Sequence, residues 1–198
     1  RMSRGLGDVY KRQHNNQKKI AVINDFSGFG RCSIAVSLPI ISAMKIQCCP
    51  VPTSIFSNHT GFDSYFFEDY TDKMRPYIAE WRKLDLHFNG ICTGFLGSEA
   101  QIGIVGDFLQ EFGGEGTIVL IDPVMGDYGK PYPTAAICSI TINTSLEILL
   151  RLNGISSRTI SPDSSLLMSR TSFTSSSSRL DASFTFVLYS VCFSILSA

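Results

Sequence analysis

The residues of this chain best suited to chemistry fall in four short runs: DFSGFG at Asp25–Gly30, FSNHTGF at Phe56–Phe62, TGFLGS at Thr93–Ser98 and DPVMGD at Asp122–Asp127. In the first, glycines let the backbone approach a ligand, while Asp25 and Ser27 offer an acceptor and a donor to a polar ring substituent. An ordinary glycine turn with an Asx-type hydrogen bond accounts for the same residues. The second run places Ser57, Asn58, His59 and Thr60 in succession between Phe56 and Phe62. That composition suits several heteroatoms of a small polar ring with apolar walls beside it, and equally suits a polar loop with a locally satisfied His59. His59 has no acidic neighbour in sequence to orient it as a general base. In the third run Phe95 can stack on a flat ring or pack in the core. The fourth sets Asp122 and Asp127 five residues apart around Pro123 and Gly126. Such a pair can serve a magnesium ion through waters and nucleotide phosphates, or can be solvated turn residues.

These runs acquire weight from the elements that precede them. KKIAVINDF is a short apolar run of the kind that forms a buried strand, followed by SGFGRCS as a glycine turn and SIAVSLPIISAM as a helix. IQCCPVPTSIF predicts a second strand, placed at a sheet edge or made irregular by Pro50 and Pro52. TDKMRPYIAEWRKL carries Met74, Tyr77, Ile78 and Trp81 at helical spacing. FNGICTGF predicts a third strand, and SEAQIGIVGDFLQEF a helix capped by Ser98 with Gln101 three residues on. TIVLIDPVM predicts a fourth strand, ended by proline. Strands alternating with helices imply an α/β fold with a mainly parallel sheet, since each parallel crossover needs a helix. Ligands of such sheets gather beyond the carboxyl ends of the strands, where all four runs fall.

Composition limits the partners. Lys plus Arg and Asp plus Glu number 17 each, so no basic excess argues for nucleic acid or an anionic membrane. Six cysteines form no CxxC pair or zinc spacing and read as reduced, buried thiols of a cytoplasmic protein. No stretch has the form of an export signal.

Two segments do not share the alternating pattern. Residues 1–13, RMSRGLGDVYKRQ, have no apolar period, and DVYKRQ is what GAT GTG TAT AAG AGA CAG encodes, a sequence resembling a transposase end. They read as a disordered adapter scar. Residues 14–134 carry 13 glycines and six lysines, whereas residues 135–198 carry 17 serines, one glycine and no lysine. The second stretch reads best as a frame-shifted or chimeric tail, with an unusual natural tail as the alternative. Its apolar end, SFTFVLYSVCFSILSA, spans 16 residues, short of the ~20 that a membrane helix needs.

In their order and spacing the four runs resemble the N-terminal half of bacterial pyridoxal kinases of the ribokinase-like superfamily. The resemblance covers Lys18–Thr134, and FSNHTG together with DPVMGD carries most of its specificity. It implies a central, mostly parallel sheet flanked by helices, commonly in a homodimer, and ATP-dependent phosphorylation of the 5′-hydroxymethyl group of pyridoxal and its relatives. Asp25 and Ser27 match the family's turn beside the pyridine substituents, although some members have serine at the position of Asp25. Thr60 and Gly61, with His59 adjacent, match the substrate-contacting end of the SNHT segment. Phe95 stands where other members place a tyrosine, keeping the ring and losing the hydroxyl. Asp122 and Asp127 match the acidic pair near the ATP phosphates and Mg2+.

The family's second half supplies an Asn-x-x-Glu segment and a GTGD-type turn holding the catalytic base. Neither follows Thr134: NTSLE at Asn143–Glu147 has the wrong spacing, and Asp163 and Asp181 lie in serine-rich sequence without such a turn. The expectation is therefore an incomplete, inactive copy with no catalytic base of its own. A hydroxymethylpyrimidine kinase of thiamine synthesis and a non-catalytic fragment that binds pyridoxal or nucleotide are the alternatives.

Overall fold

The computed structural model describes residues 17–122, 126–127, 130–131, 192 and 195–196. The segment 1–13 and nearly all of 135–198 lie outside the described residues.

The apolar run after Lys18 forms β1 (Lys19–Phe29), followed by α1 (Ser33–Ala43) and β2 (Gln47–Asn58). A short β3 (Phe67–Asp69) leads into α2 (Thr71–Lys83), β4 (Gly90–Thr93), α3 (Glu99–Phe112) and β5 (Ile118–Ile121). The sheet order is β3-β2-β1-β4-β5. Strands β2, β1, β4 and β5 run parallel, and only β3 is antiparallel. A separate two-stranded ladder joins β6 (Gly126–Asp127) to β7 (Lys130–Pro131).

The alternation of β1 explains the layering. Ala21 and Ile23 join one core with Met74 and Ile78 of α2 and Ile104, Val105, Phe108 and Leu109 of α3. Ile20 and Val22 face the other way, into a core with Ile34 and Ile41 of α1. Because both faces are covered, β1 needs apolar residues at every position rather than alternate ones. Cys192 and Ile195 also belong to the α1-side core, and Lys18 Nζ donates to the Ile195 carbonyl at 2.6 Å. The serine-rich tail thus contributes apolar contacts to the sheet.

The helix face of Met74, Tyr77, Ile78 and Trp81 points into the core as its spacing predicts. Pro50 and Pro52 lie where β2 pairs with β1 alone, because β3 reaches only Ser54–Phe56. The Pro50 carbonyl accepts a hydrogen bond from Tyr77 Oη at 2.8 Å instead of from a strand. A proline costs nothing there, since no strand asks for its missing N–H.

Three expectations require correction. The SGF of the first run is not a turn but the end of β1, which continues past a register shift between Asn24 and Phe26 and pairs Ser27 with Phe56 and Phe29 with Asn58. The turn falls on Gly30, whose φ of +136° only glycine adopts readily. Ser98 occupies the N-cap of α3 without a side-chain capping bond, because its hydroxyl pairs with Thr71 Oγ1 at 2.9 Å. Gln101 turns inward instead of closing a capping box: its Oε1 accepts from Gly97 N–H at 2.8 Å, and its Nε2 donates to the Thr53 carbonyl at 2.9 Å. Gly126, expected in a turn, is paired with Pro131.

Candidate active site

The chain passes from β1 to β2 on one side and then crosses to β4 on the other. The strand order therefore reverses at β1/β4, the kind of switch point beside which sheets of this type gather ligands. Residues of the four runs end or follow strands at that edge, and hydrogen bonds tie the first three runs and Asp122 together there.

Asp25 and Ser27 come from the extension of β1, and both are buried. Ser27 Oγ donates to Asp25 Oδ2 at 3.4 Å. Burial raises the Asp25 pKa above its ordinary 3.8, and hydrogen bonds from Ser33, its own backbone and Ser27 oppose the rise. Ser33, which sequence reasoning passed over, starts α1 with φ of +52°, an unusual backbone for a residue with a side chain. It stands at the Asp25 carboxyl.

The SNHT segment follows β2 and folds back on itself. Phe66 N–H donates to Ser57 Oγ at 2.8 Å, Asn58 Nδ2 to the Ser64 carbonyl at 2.9 Å, and Gly61 N–H to His59 Nδ1 at 3.0 Å. With Nδ1 accepting, a neutral His59 carries its proton on Nε2. The ring lies 4.7 Å from the Phe62 ring, centroid to centroid. Ser57, Asn58 and one His59 nitrogen therefore shape the loop, and Thr60 and Gly61 are left exposed at its tip. His59 N–H donates to the Phe29 carbonyl at 3.2 Å, tying the loop to the end of β1. An open cavity of about 470 Å³ beside this loop is lined by Phe29, Asn58, Phe62, Asp63 and Ser64. Asp25, Ser27 and Phe95 do not line it. Of the two aromatic walls expected, Phe56 is buried and Phe62 exposed.

Phe95 follows β4, half-buried, with its ring edge-on to Phe56 at 6.2 Å. Its backbone N–H donates to Asn24 Oδ1 at 2.8 Å. Asp122 follows β5, and its N–H donates to the Thr93 carbonyl at 3.3 Å, so it shares the edge with the turn that carries Phe95. Asp127 lies on the β6–β7 ladder, and Pro123–Met125 between the carboxylates fall outside the described residues. Magnesium takes one or two carboxylates beside nucleotide phosphates, and Asp122 is a half-exposed carboxylate at this edge. Among the described residues no cluster of three or more His, Cys, Asp or Glu forms a cage independent of a nucleotide.

Asn24 and Thr53 were not singled out in the sequence, and Gln101 only as a helix-capping residue. All three are buried polar side chains, and Asn24 interrupts an apolar strand, which obliges it to find partners. That obligation was the available signal.

No protein-family model matches the chain. Solved structures do. A candidate phosphomethylpyrimidine kinase from Bacteroides thetaiotaomicron is 43% identical over 66% of this chain and 47% of its own, with a TM-score of 0.61. A second crystal form of that protein, determined with pyridoxal, aligns over 73% of this chain and 55% of its own at 39% identity and a TM-score of 0.61. The pyridoxal kinase of Lactobacillus plantarum is 25% identical over 64% of this chain and 46% of its own, with a TM-score of 0.57. The pyridoxal kinase of Leishmania donovani with ADP and pyridoxamine, at 18% identity and a TM-score of 0.57, shares the fold. The fold is that of the ribokinase-like kinases, present here in part. Within that class the chain is similar to the pyridoxal kinases and phosphomethylpyrimidine kinases, and it spans about half the length of the structures it matches.

Proposed function

We propose that this chain carries the substrate-binding half of an ATP-dependent kinase that phosphorylates the 5′-hydroxymethyl group of pyridoxal, pyridoxine or pyridoxamine in vitamin B6 salvage. The observation that supports this most strongly is the gathering of Asp25 and Ser27, the His59–Gly61 loop and Phe95 on one sheet edge. The similarity to a protein crystallised with pyridoxal bears in the same direction.

In this reading Asp25 and Ser27 bind ring substituents, His59, Thr60 and Gly61 close over the ring edge, and Phe95 supplies the aromatic wall. Asp122 and Asp127 would hold Mg2+ near the ATP phosphates, and the chemistry such an ion would supply there is charge neutralisation. The protein's remaining task is to position the alcohol and exclude water. The reaction also needs a base for the alcohol proton, and none is assigned in this chain. We therefore expect the 198-residue chain to show no ATP-dependent pyridoxal phosphorylation above background, and robust turnover by the purified chain would overturn that reading. A homodimer in the cytoplasm, with no nucleic-acid or membrane partner, completes the proposal; among the described residues no helix is long and apolar enough to cross a membrane.

Phosphorylation of hydroxymethylpyrimidine is the second reading, favoured by the similarity to the Bacteroides protein. Competing titrations with the two alcohols separate the readings.

A further inference from the structure

Phe95 is fixed at both ends of its own backbone by side chains from other strands. Its N–H donates to Asn24 Oδ1 and its carbonyl accepts from Thr53 Oγ1, each at 2.8 Å. The same Asn24 oxygen accepts the Asp25 N–H at 2.9 Å. One carboxamide oxygen at the β1/β4 switch point thus fixes the backbone entering Asp25 and the backbone entering Phe95. Asn24 is only 6% exposed, so water does not replace these bonds easily. Gly94 completes the arrangement: a Cβ placed there would fall on the Asn24 carboxamide.

We propose that Asn24 is a positioning residue that, with Thr53 and Gly94, fixes the backbones of Asp25 and Phe95 relative to each other and so sets where their side chains meet the substrate. Residue chemistry explains the choice of side chain. An amide oxygen accepts two N–H groups without adding a second negative charge beside Asp25. The inference rests on the reading of Asp25 and Phe95 as substrate contacts.

The test is residue-resolved amide hydrogen exchange on the full chain, paired with pyridoxal titration. Asn24→Ala is expected to accelerate exchange at Phe95 and Asp25 by about tenfold, the loss of one net hydrogen bond, while Ile91 and Cys92 in β4 keep their protection. Asn24→Asp, which retains the acceptor but adds a charge beside Asp25, should restore protection at both sites only in acid, where the added carboxyl is neutral. Gly94→Ala should reproduce the Asn24→Ala pattern by displacing the carboxamide, and the double variant should be no worse than either single one. Unchanged exchange at Phe95 and Asp25, or fully additive effects of the two substitutions, would overturn the latch. In the titration Asn24→Ala should weaken pyridoxal binding about tenfold and add little on top of Phe95→Ala, a coupling that contacting residues show. Thr53→Val, which removes the donor and keeps the volume, should weaken binding in the same sense should Asn24→Ala fail to fold. Unchanged affinity in both would overturn the positioning role. A parent chain that does not bind pyridoxal would contradict the substrate reading instead, and the exchange result would still decide whether the latch exists.

Discussion

A carboxylate buried at a strand end is costly in its charged form, and Asp25 bears that cost while its neighbours only partly offset it. Because its folded pKa lies above the ordinary 3.8, the folded state binds the proton more tightly than the unfolded chain does. Its contribution to stability is therefore greatest below that value and declines as pH rises through the folded pKa. Asp25→Asn should raise the thermal midpoint at pH 7, by about 2–5 °C, with the difference vanishing in acid; a lower midpoint at pH 7 would contradict this account. The same substitution should weaken pyridoxal binding, as expected where stability is exchanged for function. Phe95→Ala should reduce pyridoxal affinity about tenfold, the value of one aromatic contact, and Phe95→Tyr should retain it; calorimetry reads both. The position of the candidate residues near strand ends was legible in the sequence because polar and glycine-rich runs cluster visibly after apolar ones. Asn24 and Thr53 were not, because their roles depend on a register between β1, β2 and β4 that no local spacing encodes.

Strand and helix identities were legible wherever periodicity reported burial. β1 reads as a continuous apolar run because both its faces are covered, and α2 shows its inward stripe directly. β3 was not legible, since all its residues are exposed and its pairing with Ser54–Phe56 leaves no apolar pattern. The capping box at Ser98 and Gln101 was misread for a related reason: a local motif competed with tertiary partners, and the tertiary partners prevailed. Gln101 is fully buried and joins Gly97, Thr53 and Thr71 across α3, β2 and α2. Gln101→Leu should cost about 1–3 kcal/mol in urea unfolding, because it leaves those buried groups without a partner. The cysteines give an independent check of the layering. Among the described residues all are free thiols, and burial pushes Cys48 up to about 12, Cys49 and Cys192 to about 11, and Cys92 higher still. Mass-resolved alkylation at pH 8 should therefore leave these four unmodified until the chain is unfolded. Rapid labelling of Cys92 in the native chain would contradict the placement of β4 between two covered faces.

The chain spans about half the length of its structural relatives, and its sheet is covered on both faces. α2 and α3 cover one face fully, whereas the α1 face is completed by Cys192 and Ile195. Deleting residues 183–198 should uncover Ile20, Val22 and Cys92, raise binding of an apolar dye and lower solubility; an unchanged chain would show that these contacts contribute nothing. The compositional seam after Thr134 was legible from glycine and lysine usage alone, but the docking of Cys192 and Ile195 was not, because an apolar segment does not announce the surface that it will cover. In the proposed reading the substrate contacts lie on the sheet edge and no base is assigned to this chain, so binding and turnover should separate. Calorimetric titration of the 198-residue chain with pyridoxal, with hydroxymethylpyrimidine as competitor, tests this most directly. The account predicts saturable pyridoxal binding that the pyrimidine displaces only weakly. Absence of pyridoxal binding, or tighter binding of the pyrimidine, would contradict it.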